Sequence, residues 1–168
     1  DQLERLAGLE LKVPAHHEGV TSDEEVLAAL DKITGNNPER LHIYSHFDTD
    51  DLDVLLGTIR FLVTSCGCKY IFLDHITLLV TGQGKDDERL KLDYLSTKLE
   101  LMVQNLGFTL FLVSHVNDDG QTRGSRNIGK TSMTRIDLSR NLIHDDEAER
   151  NKLYMSVSKN RHGSTTGP

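Results

Sequence analysis

Hydrophobic positions along this chain switch between a helical and an extended period. Val26, Leu27, Leu30 and Ile33 recur at helical spacing behind Ser22-Asp23-Glu24-Glu25. Ser22 can cap the first turn while Glu25 bonds back to it, so a short helix is predicted that ends near Gly35. Residues 41–44 (LHIY) read as a strand. Leu52, Leu55, Leu56, Ile59, Leu62 and Val63 then form the apolar stripe of a second helix. Residues 69–74 (KYIFLD) are an aromatic and branched run closed by a carboxylate. After them, Leu92, Leu95, Leu99, Met102 and Leu106 mark one face of a longer helix, and residues 109–115 (TLFLVSH) form another apolar run closed by polar groups. Beyond His115 comes a polar, Gly-containing stretch, and residues 135–140 and 153–158 alternate as two strands around a turn-rich segment at 145–150.

Unbroken apolar strands alternating with amphipathic helices predict an α/β fold with a parallel sheet buried on both faces and right-handed crossovers, ending in a hairpin at the sheet edge. In such sheets ligands bind beyond the carboxyl ends of the strands, where Asp74 and His115 fall. With 168 residues the chain is the size of one domain or a large piece of one. Its first six residues (DQLERL) read as the middle of a helix, so a fragment is expected. The net charge of −7 excludes a surface that is basic throughout but leaves room for basic loops on nucleic acid. Cys66 and Cys68 are too close for an easy mutual disulfide and, like His16 and His17, lack a second cluster at metal-ligand spacing. No apolar run reaches spanning length, so a soluble, intracellular chain is expected.

By itself, Asp74 at a strand end is as readily a helix cap as a Mg²⁺ ligand of the Walker B kind. The whole stretch 70–80 (YIFLDHITLLV) resembles the Walker B segment of the hexameric replicative DNA helicases, the group of DnaB, Twinkle and the phage primase-helicases. The resemblance runs from about His42 to the C-terminus. It takes in Phe47, Gly67-Cys68, Asp87-Glu88-Arg89, Leu106-Gly107-Phe108, Ser114-His115, Arg123-Gly124-Ser125, Arg140-Asn141 and Lys159-Asn160-Arg161, all in order.

That resemblance implies a RecA-like, mostly parallel sheet flanked by helices. It implies an ATP-dependent (or other NTP- or dNTP-dependent) helicase motor with Mg²⁺, assembled as a hexameric ring on single-stranded DNA, with primase and polymerase as candidate partners and the bacterial cytoplasm or a mitochondrial nucleoid as its setting. Asp74 is then the Mg²⁺ carboxylate and His115 the sensor of the γ-phosphate. Lys159 and Arg161, which alternation puts on one side of their strand, serve a neighbouring subunit's nucleotide, Arg161 as arginine finger. Arg140 stacks on the base. The channel loops correspond to residues 81–88 and 116–126, with Lys85, Arg123 and Arg126 as basic contacts and Lys130 just beyond.

Residues 124–131, GSRNIGKT, also satisfy the phosphate-loop pattern G-x-x-x-x-G-K-[ST]. That loop needs a buried strand running into Gly124 and a helix leaving Thr131. Upstream is a polar stretch, and downstream barely one turn separates Thr131 from an alternating strand. The match is therefore expected to be fortuitous, in a place where the helicases hold a loop and short helix opening with Arg-Gly-Ser. Their true phosphate loop and the Glu that activates water are expected before Asp1, so these residues alone should hydrolyse ATP negligibly. The rival readings are a recombinase-type RecA-like ATPase without unwinding activity, a non-catalytic DNA-binding or assembly module, and a small-molecule kinase using GSRNIGKT.

Overall fold

A computed structural model describes residues 2–45, 51–76, 85–115, 126–163 and 166–167, with the backbone alone at 85, 86 and 126. Two helices open it, α1 (Gln2–Leu11) and α2 (Asp23–Thr34), packed on each other and joined by the Lys32–Glu10 ion pair. The capping box forms: the Glu25 N–H donates to Ser22 Oγ at 3.2 Å, and the Ser22 N–H donates to Glu25 Oε2 at 2.8 Å. The helix stops at Gly35, whose φ of 66° is the left-handed conformation that glycine adopts without a Cβ clash.

Residues 41–44 do not become a strand. After a 3₁₀ turn at Pro38–Arg40 they run without sheet pairing, because a strand is stable only where a partner meets its backbone groups.

The core lies between α3 (Leu52–Thr64), α4 (Lys85–Leu106) and a two-stranded parallel sheet of β1 (Tyr70–Leu73) and β2 (Thr109–Leu112). Asp51 caps α3 by accepting the Asp53 N–H at 2.8 Å. The predicted stripes are the buried ones: Leu52, Leu55, Ile59 and Val63 on α3, with Leu92, Leu95, Leu99 and Met102 on α4. Ile76, Phe108 and Ile128 complete the cluster, and Ile71, Leu73, Leu110 and Leu112 pack on it from the sheet. α4 is the crossover that makes β1 and β2 parallel, in register from Tyr70 opposite Thr109 to Leu73 opposite Leu112.

Only one face of this sheet is covered by the described residues. Tyr70, Phe72, Phe111 and Val113 alternate to the other face and are exposed, Phe72 at 72%, and the Phe72 and Phe111 rings stack at 4.4 Å. The unbroken apolar runs that predict two covered faces therefore meet one.

The C-terminal hairpin also departs from expectation. β3 (Thr134–Ser139) and β4 (Tyr154–Asn160) pair antiparallel, with a register shift between Arg135 and Ile136, as a separate sheet and not as the edge of β1–β2. One turn of helix, α6 (Glu147–Arg150), lies in the connection. Side-chain bonds to α5 (Arg126–Thr131), which packs on α4, tie the hairpin to the body, so no ladder of backbone bonds is needed at this junction. Among the described residues the architecture is α/β with two two-stranded sheets.

Candidate functional site

Two groups of polar side chains are assembled by this framework. The first lies at the carboxyl ends of β1 and β2. Backbone pairing continues past the strands, with the Val113 N–H on Leu73 O at 3.0 Å and the Ile76 N–H on Val113 O at 3.1 Å, so the two chain ends leave the sheet side by side. Ile76, fully buried, anchors the exit of β1 in the core. Asp74, His75 and His115 are thereby gathered at one edge, with the His75 and His115 rings edge-on at 4.3 Å and 78°. Asp74 and His115 are exposed, His75 is half-buried, and the Asp74–His75 peptide is cis. An open carboxylate beside an imidazole that can donate to a phosphate oxygen suits an anionic ligand that brings a hard cation. Among the described residues no group of three or more His, Cys, Asp or Glu side chains is placed to hold a metal ion.

The second group surrounds the C-terminus of α5. Lys159 Nζ donates to Gly129 O at 2.6 Å and to Lys130 O at 2.9 Å. Arg161 Nη2 donates to the same Lys130 O, while the Arg161 N–H bonds to Met133 O at 2.9 Å. The same-side projection expected of Lys159 and Arg161 is therefore realised, and both cations sit where the carbonyl end of a helix attracts them. Burial, then the Arg161 charge, pull the Lys159 ammonium below its ordinary pKa, with Glu100 opposing.

Arg140 follows β3 and is exposed, but its donors turn back to the hairpin connection, Nε to Arg150 O and Nη2 to Asn151 Oδ1 at 2.8 Å. Its guanidinium plane is thus held by its edge. Lys130 is exposed on α5. Phe47 and Arg123 lie outside the described residues, as do the side chains of Lys85 and Arg126, the first residues of α4 and α5.

For GSRNIGKT, Gly124 and Ser125 lie outside the described residues and the other six are α5 itself. The helix ends at Thr131, where that of a phosphate loop would be leaving, and the chain enters β3 at Thr134. Thr131 Oγ1 bonds back to Asn127 O at 3.1 Å and Ile128 O at 3.2 Å. On this downstream side the phosphate-loop geometry is not met, because α5 ends where the helix of such a loop should continue.

Two contacts have no signal in the sequence. His75 meets His115 only through the parallel register of β1 and β2, and Asn127 docks α5 on α4 by bonds across about thirty residues of sequence. Neither contact has a periodic signature. Among the described residues no helix is long and apolar enough to cross a membrane.

No family model matches the chain. It is similar to the DNA helicase/primase of Enterobacteria phage T3, at 28% identity over 160 residues, covering 84% of this chain and 28% of that protein. The chain thus spans less than a third of the length of that relative.

Proposed function

We propose that these residues are part of an NTP-driven DNA helicase motor with a RecA-like core, working as a ring of six copies on single-stranded DNA. The observation that carries the reading is that Asp74 and His115 both follow the carboxyl ends of two adjacent parallel strands, β1 and β2. Similarity to the phage T3 DNA helicase/primase supports it.

Bound Mg²⁺ with an NTP such as ATP neutralises charge that develops on the transferring phosphoryl group. Asp74 would hold the ion, and His115 would donate a hydrogen bond to a phosphate oxygen and lose it when that phosphate leaves. Lys159 and Arg161 address the nucleotide of the neighbouring copy, and Arg140 presents its plane to the base. Lys85, Arg123, Arg126 and Lys130 contact DNA phosphates, so affinity falls as salt rises.

Hydrolysis and strand displacement by the full-length protein test the reading. Asp74→Ala abolishes both, whereas Lys130→Ala weakens DNA binding and leaves nucleotide turnover in place. Turnover that survives Asp74→Ala but disappears in Lys130→Ala returns GSRNIGKT to the role of phosphate loop and overturns the proposal. Turnover without strand displacement retires the unwinding step.

A further inference from the structure

α5 has six residues, too few to hold a helical position by themselves, so its placement depends on what fastens it. At its start, Asn127 Nδ2 donates to Asp93 O and to Thr97 Oγ1 on α4, both at 3.3 Å, and Ile128 is buried in the core. At its end the fastenings are the two cations, Lys159 on Gly129 O and Lys130 O, and Arg161 on Lys130 O. Seating at the start is amide and apolar, whereas the hold at the end is charged donors on neutral carbonyls. A phosphate oxygen is the stronger acceptor for such donors, so the end can be released by an anion that leaves the start intact.

We propose that α5 is the element that couples nucleotide to DNA, and that Asn127 is the residue positioning it. Lys159 and Arg161 exchange the α5 carbonyls for phosphate oxygens. Because Asn127 and Ile128 keep the helix seated on α4, the release moves α5 as a unit and shifts the basic residue at its head, Arg126. Without the Asn127 bonds the same exchange frays the short helix and the signal is lost. The inference rests on the function proposed above, which supplies the phosphate for the two cations and the DNA for Arg126.

The test is NTP turnover by the full-length protein with and without single-stranded DNA, in wild type, Asn127→Ala, Asn127→Gln and Thr97→Val. Asn127→Ala is expected to lower DNA-stimulated turnover roughly five- to tenfold, the effect of losing one to two hydrogen bonds, with turnover in the absence of DNA unchanged. Asn127→Gln, which keeps an amide that can reach Thr97, recovers most of the stimulation. Thr97→Val, which keeps the shape and loses the acceptor, gives a smaller loss of the same kind and carries the test if Asn127→Ala fails to fold. A ratio of stimulated to unstimulated turnover that stays at the wild-type value in the variants that fold, or equal loss of both activities, overturns the coupling role. A wild-type protein that hydrolyses no NTP defeats the functional reading itself, an outcome distinct from either.

Discussion

Arg161→Ala separates two roles that one side chain can play, because their magnitudes differ by orders of magnitude. As a helix cap, Arg161 supplies one side-chain bond to Lys130 O and a long contact of 4.0 Å to Met133 Sδ, both exposed, and its backbone bond to Met133 O survives the substitution. Losing one such bond costs about 1 kcal/mol. In a domain of this size that lowers Tm by roughly 2–4 °C, and with a stability of about 5–15 kcal/mol nearly all molecules stay folded. A capping role alone therefore leaves turnover close to wild type. An arginine acting on the developing phosphoryl charge contributes about 10³–10⁵-fold to turnover. The assay is DNA-stimulated NTP hydrolysis by the full-length protein at saturating nucleotide, alongside thermal unfolding of the same preparation. The account predicts a loss of at least roughly a thousandfold with a Tm change of a few degrees. Arg161→Lys, which keeps the charge but not the planar fork, recovers only a small part of it. Turnover of Arg161→Ala within tenfold of wild type refutes the reasoning and leaves Arg161 as a cap.

Two further predictions concern stability. Leu95 is fully buried in the core cluster, so Leu95→Ala is expected to destabilise the chain by about 3–5 kcal/mol in chemical denaturation, whereas the same change at exposed Leu90 costs less than about 1 kcal/mol. Asp137 is held below its ordinary pKa by a hydrogen bond from Ser158 and by Arg135, against the opposing effect of burial. A carboxylate with a depressed folded pKa stabilises the fold above its unfolded value of 3.8, and that contribution disappears as pH falls through the lower folded value. Wild type should thus exceed Asp137→Asn in urea midpoint at neutral pH, with the gap closing below pH 3.8; a gap unchanged in acid contradicts the assignment.

Local order was legible in the sequence wherever a short-range rule governs it. Ser22, Glu25 and Gly35 announce α2 because capping and the left-handed stop involve residues a few positions apart. The stripes of α3 and α4 appear because a helix that buries one face must repeat its apolar residues. The alternation that puts Lys159 and Arg161 on one side is equally local. What they reach is not: the carbonyls of Gly129 and Lys130 lie about thirty residues away, and only the packing of α5 brings them near. The same limit hid the separation of the β3–β4 hairpin from β1–β2, since alternation identifies a strand without naming its partner. Residues 41–44 fail as a strand for that reason, and the exposed Tyr70, Phe72 and Phe111 have the apolar character of a covered face without a cover among the described residues.

The central claim is that Asp74 and Arg161 act on one nucleotide from two neighbouring copies. Mixing full-length Asp74→Ala with full-length Arg161→Ala, each inactive alone, tests it directly. In a head-to-tail ring assembled at random from equal amounts, on the order of a quarter of the interfaces join an intact Asp74 to an intact Arg161. The account predicts that NTP hydrolysis reappears on mixing, at a fraction of the wild-type rate, and that it does not when either variant is mixed with Asp74→Ala/Arg161→Ala double-variant subunits. Two variants that stay inactive together, although they co-assemble, contradict it.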